Sequence, residues 1–436
     1  MNESKIQSPL AINGGTPVRT APLPWELPGS HYIGQEELEQ LSLVIAGRSP
    51  FRYYGPDLKH MVDRLEDAFR ARYGRAHALG VNSGTAALHI ALAAIGVGPG
   101  TEVCVPGYMW VSCLSAVVRL GAIPRLVDID ETFCMNPEDL ERKIGPRTKA
   151  VMCVHMSGAP GHIDRIAAIT KQKGVKLLED CAQANGASLN GKPVGTFGDI
   201  AIFSFQLNKN MTSGEGGMII CDDQTLYDRA FAVHDLGYAR NAQGRLDLEN
   251  QQCQLWGIGS RMSEITGAFA LAQEKKLDTI TAAMRTAKWK IRRALEGTPG
   301  LQFRNIMDPE GDSGPFLLTI HPAAEYCRKF SEAVVAEGIH GGEGSMAFLA
   351  MEGWGLHWHF NNQSLVRKTS LEPGGFPWSH PENAFAAEYS YARGTLPGCD
   401  DLCSRSSILT IASCLTDQDI EDIATAFRKV AMSLAA

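Results

Sequence analysis

Residues 77–110 read HALGVNSGTAALHIALAAIGVGPGTEVCVPGYMW. A short apolar run without alternation, HALGV, meets Asn82-Ser83-Gly84-Thr85. A helical run then carries to Gly96, and a second apolar run begins at Glu102. Strands that are apolar on both faces and separated by helices belong to a parallel sheet covered on both sides. The alternation continues downstream. MWVSCLSAVVRLG, NPEDLERKI and HIDRIAAITKQKG predict helices, while IPRLVDID, AVMCVHM, VKLLEDC, DIAIFSF and GGMIICDD predict strands. This is an α/β doubly wound pattern. Ligands in such sheets sit beyond the carboxyl ends of the strands, so the chemistry is sought there.

Outward from this block the pattern changes. Residues 1–34 are rich in Pro, Gly and Ser and read as an N-terminal arm. Residues 35–47 predict a helix with Gly47 as its C-cap, and a second helix follows over about 57–72. Further helices over 223–237 and 262–296 close a large domain spanning 35–296. Past it, PFLLTIHP and SSILTIA read as strands and 324–337 and 416–434 as helices. A smaller α+β domain is expected over 297–436, with an irregular stretch at 340–398 rich in Gly, Trp and His.

Composition narrows the classes of function. At 436 residues with 44% hydrophobic and 20% charged residues, the chain can bury a core and is not disordered. A net charge of −7 leaves no basic excess for a phosphate backbone, so no nucleic-acid partner is expected. The eleven cysteines are scattered without a CxxC pair, as in a reduced, cytoplasmic protein. The first thirty residues lack the apolar core of a signal peptide, and no run reaches the ~20 apolar residues of a membrane span.

Four strand ends carry unusual residues. At Asn82-Ser83-Gly84-Thr85, Gly84 permits close backbone approach, and the free N–H groups of the following helix, with the Ser83 or Thr85 hydroxyl, make an anion site. A plain Ser or Thr N-cap reads the same. No GxGxxG or GxxxxGK[ST] follows a strand. At Val105-Pro106-Gly107-Tyr108-Met109-Trp110, an aromatic ring stacks on a planar ligand or roofs the core. At Glu179-Asp180-Cys181-Ala182-Gln183, a carboxylate at the end of a buried strand needs a cation or serves as an N-cap. At Phe203-Ser204-Phe205-Gln206-Leu207-Asn208-Lys209, a lysine follows a very apolar strand. It either snorkels or is desolvated, and desolvation lowers an amine pKa toward what imine chemistry requires. In this order, phosphate cradle, stacking aromatic, buried Asp and Lys are the parts of a pyridoxal 5'-phosphate site.

At these residues the chain resembles the DegT/DnrJ/EryC1/StrS sugar aminotransferase family of fold-type I pyridoxal-phosphate enzymes. AINGGTPVR, VNSGTAALHIAL, GVGPGTEVCVP, EDCAQANGA, GTFGDIAIFSFQLNKNMTSGEGG and SRMSEITGAFAL carry the resemblance, which runs from about Leu10 to Lys429. It implies a mostly parallel, seven-stranded type of sheet sandwiched by helices, with a smaller C-terminal domain. Lys209 then matches the lysine that carries the cofactor and Asp180 the partner of its pyridine nitrogen. Gln183 matches the residue near its phenolic oxygen and Trp110 the aromatic stacked on its ring. Ser204, Gly84 and Thr85 match phosphate ligands, with Ser83 beside them. The resemblance also implies a homodimer with active sites at the subunit interface. There, a segment like GIGSRMSEITG reaches the other subunit's phosphate, and Arg261 stands where many members have Asn. Asn185 stands where the family usually has His. The lysine is kept, unlike in the related sugar 3-dehydratases.

The expected reaction is ping-pong transfer of an amino group from L-glutamine or L-glutamate to a keto-sugar or keto-cyclitol. Elimination or epimerisation on the same scaffold, or a pyridoxal-phosphate-binding regulatory protein, are the alternatives. The missing GxGxxG counts against a nicotinamide dehydrogenase. Tyr53, Tyr54, His357 and His359 are expected to border the acceptor pocket, because aromatic and His side chains suit hydroxylated rings; a packed loop is the other reading. His357-x-His359 lacks a third ligand, so no metal is expected.

Overall fold

The computed structural model describes residues 6–241 and 243–435. Its centre is a seven-stranded sheet of β1 (His77–Val81), β2 (Glu102–Pro106), β3 (Ile123–Val127), β4 (Thr148–Val154), β5 (Lys176–Asp180), β6 (Ile200–Ser204) and β7 (Gly217–Cys221). The spatial order is β1-β7-β6-β5-β4-β2-β3. Neighbours from β6 through β3 pair in parallel. Only β7 runs against the rest, pairing antiparallel with both β1 and β6. Parallel neighbours need a helical crossover, but β6 returns as β7 through the loop 205–216, which contains no helix. That return brings the chain straight back at the carboxyl edge of the sheet and leaves Lys209 on the loop.

Side chains alternate across the sheet. Leu79, Val81, Val103, Val105, Ile202 and Ile219 face one core, while Ala78, Ala201, Phe203, Met218 and Ile220 face the other. The covering helices are α1 (Gln35–Gly47), α2 (Met61–Tyr73), α3 (Gly84–Ile95), α4 (Val111–Arg119), α5 (Pro137–Lys143), α6 (Ile163–Lys173), α7 (Gln224–His234), α8 (Glu264–Glu274) and α9 (Leu277–Leu295). Helix α3 is apolar on nearly every side, as a helix enclosed by others must be.

Two boundaries differ from the sequence reading. Gly47 is the last helical residue of α1, and Arg48 takes the left-handed cap position at φ 50°. Glycine is needed at 47 for space, since a Cβ there would lie 2.5 Å from the Asp57 carbonyl oxygen. Helix α2 starts at Met61 rather than about 57, because its first amides find their acceptor far away. Glu264 takes the N–H groups of Met61 (2.6 Å) and Val62 (3.1 Å), a cap that no local motif announces.

Past residue 297 the chain builds a second, antiparallel sheet of β8 (Gln302–Phe303), β9 (Phe316–Ile320), β10 (Phe348–Ala350) and β11 (Ser406–Thr410), ordered β8-β9-β11-β10. Helices α10 (Ala324–Ala336), α11 (Pro397–Ser404) and α12 (Asp417–Ala435) accompany it. The arm is stitched to these elements. The buried Glu337 carboxylate accepts from Ala11 N–H (2.9 Å) and Val18 N–H (3.1 Å) and pairs with Lys429.

The irregular stretch after β10 docks onto the loop that follows β2. Met109 N–H donates to the His357 carbonyl (2.9 Å) and His359 N–H to that of Gly107 (3.0 Å). The buried Trp358 ring stacks on Tyr108 at 4.5 Å. A segment distant in sequence thus forms one wall at the carboxyl end of the large sheet. Among the described residues no helix is long and apolar enough to cross a membrane. All eleven cysteines are free and ten of them are buried.

Candidate active site

Glu179 and Asp180 end strand β5, and alternation sends them to opposite faces. Glu179 is saturated, accepting from the N–H groups of Gly195, Phe197 and Gly198 and from His155 Nε2 (2.9 Å). His155, Glu179 and Cys181 gather within 4.8 Å of one another, but with these bonds the carboxylate acts as buried glue. Asp180, 4% exposed, has poorer company. Oδ1 accepts from Ala182 N–H (2.9 Å) and Oδ2 from the Cys113 thiol (3.3 Å). Burial pushes the Asp180 carboxyl above its ordinary value, against the pull of those donors and of the Lys209 charge.

Lys209 lies across from it on the β6–β7 loop. Burial lowers its amine below the ordinary lysine value, and the Asp180 charge opposes that shift. The coupling of the two groups is electrostatic, without a direct ion pair. Gly29 N–H, from the arm, reaches the Lys209 carbonyl at 3.4 Å.

The turn expected to bind an anion meets the end of β6. Helix α3 begins at Gly84, and the N–H groups of Gly84 and Thr85 have no intrahelical acceptor. Ser83 is the N-cap, its Oγ accepting from Ala86 N–H (3.1 Å), which leaves the hydroxyl proton free to donate. Thr85 Oγ1 shares a hydrogen bond with Ser112 Oγ (2.8 Å). Ser204, ending β6, sits against Gly84 so closely that a Cβ at 84 would lie 2.7 Å from the Ser204 Cβ. Gly84→Ala is therefore expected to push the helix end off β6. Fluorescence titration with pyridoxal 5'-phosphate should show affinity about tenfold or more weaker, with stability lower by about 1–3 kcal/mol. Unchanged binding would show that Gly84 and Ser204 need not touch.

Three comparisons bear on this geometry. The DegT/DnrJ/EryC1/StrS aminotransferase family matches residues 39–343. A Streptomyces kanamyceticus protein that carries an L-glutamine:3-amino-2,3-dideoxy-scyllo-inosose aminotransferase name is 31% identical over 97% of this chain and 96% of its own. The chain belongs to the DegT/DnrJ/EryC1/StrS aminotransferase family. The L-glutamine:2-deoxy-scyllo-inosose aminotransferase of Streptoalloteichus tenebrarius is 39% identical over 63% of this chain and 65% of its own. The solved structure of 3-amino-5-hydroxybenzoic acid synthase superposes with a TM-score of 0.76 at 26% identity, covering 95% of this chain and 100% of that one. These relatives are aminotransferases of the pyridoxal-phosphate-dependent type, and this chain is an aminotransferase.

The site fits that cofactor. Asp180 is a buried carboxylate held by two neutral donors and no ion-pair partner among the described residues, a costly state that a protonated pyridine relieves. The Gly84–Ser204 approach leaves backbone N–H groups and hydroxyls for a phosphate. Trp110, 42% exposed at the N-cap of α4, offers a ring face. Gln183 Oε1 accepts from Ser157 N–H (2.9 Å), so its amide –NH₂ is the part left to donate.

Other residues singled out in the sequence are placed differently. The His357 ring lies 4.8 Å from the Trp110 ring and within electrostatic reach of Lys209. Its Nδ1 is 2.8 Å from the Trp354 carbonyl, which only accepts. The proton therefore sits on Nδ1, and Nε2 is a bare acceptor. Burial, helped by the Lys209 charge, pushes this imidazole down to about 4, so it is neutral.

His359 is buried, its ring nitrogens facing the Tyr391 carbonyl (3.0 Å) and Asp400 (3.6 Å), and it packs the loop. Tyr53 hydrogen-bonds His234 (3.0 Å) and lies under Arg240, while Tyr54 is 64% exposed. Arg261 turns to Asp235 and to the Phe51 ring. Asn185 is buried, with Oδ1 taken by the Tyr73 hydroxyl (2.6 Å) and Nδ2 without a partner among the described residues.

Sequence reading missed Cys113, the thiol on Asp180. The available signal was spacing, since Cys113 lies one turn past the capping Trp110, whose carbonyl accepts its N–H (3.0 Å). It also missed Ser157, whose amide holds Gln183. No local pattern marks Ser157, because its partners are brought together by the fold.

Proposed function

We propose that this aminotransferase holds pyridoxal 5'-phosphate on Lys209 and moves an amino group from L-glutamine or L-glutamate to the ketone of a hydroxylated ring, a keto-cyclitol or keto-sugar. The observation that carries the reading is the facing pair of a desolvated amine at 209 and a buried carboxylate at 180. The acceptor class is supported by the relative matched along nearly the whole chain and by the one named for 2-deoxy-scyllo-inosose.

The cofactor, when bound, supplies an electron sink for the donor's α-carbon. Asp180 holds a proton at the pyridine nitrogen through charge. Lys209, once free, takes the α-proton of the donor and returns one to the acceptor carbon; burial, by lowering its pKa, favours the neutral amine that this work needs. Gln183 donates toward the phenolic oxygen, the 83–85 turn and Ser204 bind the phosphate, and Trp110 covers the ring.

His357 Nε2 accepts from an acceptor-ring hydroxyl. Tyr53, Tyr54 and Arg261, engaged with His234, Phe51 and Asp235 in their own chain, serve a second subunit's site. Leu236, Trp256 and Ile258, exposed beside Arg261, support that reading. We further propose that residues 35–296 and 297–436 act as the large and small domains of this enzyme.

The test is incubation with L-glutamine and 2-deoxy-scyllo-inosose or a panel of keto-sugars, read by mass spectrometry of the aminated ring. Release of keto acid with no ring aminated from the panel would reject the acceptor class. His357→Phe should lower kcat/KM for the ring ketone about 10- to 100-fold, by loss of a buried acceptor. The glutamine half-reaction, followed alone in stopped flow, should lose far less. Equal losses in both halves would remove His357 from ring recognition.

A further inference from the structure

We infer that Arg304 is a positioning residue for the cofactor pocket: reaching out from the small sheet, it fixes the turn 156–159 and, through Ser157, determines which end of the Gln183 amide faces the site. This rests on the proposed role of Gln183 toward the phenolic oxygen.

Arg304 follows β8 and its side chain is buried. Nη1 donates to the carbonyls of Met156 (2.8 Å) and Ser157 (3.2 Å), and Nη2 to that of Ala159 (2.8 Å). The remaining carbonyl, Gly158, accepts from Ser313 N–H (3.0 Å) and Oγ (2.7 Å). Four consecutive carbonyls are thus turned toward residues 304 and 313. A rigid guanidinium fork fixes several acceptors at once, as a lysine ammonium does not.

Ser157 sits at φ 56°, ψ 31°, a left-handed conformation that a serine keeps only where its surroundings impose it. Tyr108 holds its side chain as well, hydroxyl to hydroxyl at 3.1 Å. With the carbonyls drawn toward Arg304, the Ser157 N–H is left for Gln183 Oε1 (2.9 Å). An amide whose oxygen is occupied presents its –NH₂. Were the turn to relax, Gln183 would be free to present its oxygen instead, which repels an anionic phenolate.

The test uses Arg304→Lys in the full chain loaded with pyridoxal 5'-phosphate. The readout is the pH midpoint at which the visible band of the bound cofactor changes, as the proton shared by the lysine nitrogen and the phenolic oxygen is lost. Loss of a donor concentrates charge on that oxygen and holds the proton more tightly. The midpoint should therefore rise by about one unit, the size of a charge-assisted hydrogen bond. Gln183→Leu should raise it similarly, and the double variant should add nothing further.

Ser157→Gly in the Arg304→Lys background should bring the midpoint back, because glycine takes the left-handed conformation without a clamp. A midpoint unmoved in Arg304→Lys, with only the unfolding temperature lowered, would overturn the inference. So would a shift that adds fully to that of Gln183→Leu. A parent protein that shows no visible band would sink the cofactor reading itself. Hydrogen exchange at the Ser157 amide of the cofactor-free protein then decides the clamp, faster exchange in Arg304→Lys supporting it and unchanged exchange refuting it.

Discussion

Lys209→Ala should abolish amino transfer, by on the order of 10⁴ or more in turnover, and should do so without unfolding the protein. The amine is desolvated and makes no direct ion pair among the described residues, so its removal relieves a desolvation cost and takes from Asp180 only a through-space attraction. Cofactor added to this variant should show no lysine-linked visible band, while the 83–85 cradle still binds it weakly.

The variant also separates two arrangements of Arg261. That side chain turns to Asp235 and Phe51 in its own chain. If it completes the site of a second subunit, mixing Lys209→Ala with Arg261→Ala chains restores activity. In randomly reassorted dimers, half are mixed, and each mixed dimer has one site with both residues intact, about a quarter of the parental sites. If Arg261 acts only within its own chain, every site in the mixture lacks one residue and no activity returns. Turnover by Lys209→Ala alone, confirmed by mass to lack the amine, would end the assignment of this lysine.

What could be read before the fold was known follows from how local each signal is. Ser83-Gly84, Asp180, Ser204 and Lys209 each sit within a few residues of a strand end. Strand ends are visible as breaks between apolar runs, and a doubly wound sheet gathers them on one edge. The antiparallel pairing of β7 with β6 could be reached in the same way, since the loop 205–216 holds no crossover helix.

The parts that stayed hidden depend on contacts across long stretches of chain. Glu264 caps α2 from two hundred residues away, which moves a boundary by several positions. The docking of 354–360 on the loop after β2 takes His357 to Trp110 and His359 into a packed interior. Two histidines two residues apart in an irregular segment give no sign of that division. Arg304 is a single basic residue just past a two-residue strand, and its three carbonyl partners lie some 145 residues upstream.

Asp180→Asn should divide stability from catalysis. In the cofactor-free protein the carboxyl pKa is raised by burial. A carboxyl whose folded pKa exceeds its unfolded value favours the fold at acid pH and loses that contribution as pH rises through the folded value. Whatever part of the parent's carboxyl is ionised at neutral pH is a buried charge that the asparagine variant lacks. An amide oxygen at 180 still accepts from Ala182 N–H. Cofactor-free Asp180→Asn should thus melt at or above the parent temperature near neutral pH, with the advantage shrinking toward acid.

Loading with pyridoxal 5'-phosphate should reverse the order. A protonated pyridine gives the parent's carboxylate the cation it lacks, so the gain in melting temperature on loading is large for the parent and small for the variant. Turnover should fall on the order of 10²–10³, the loss typical when one charge-stabilising group is removed from a dry site. Equal gains on loading, or a cofactor-free variant that unfolds well below the parent at neutral pH, would mean that Asp180 is there for the fold and that no pyridine nitrogen faces it.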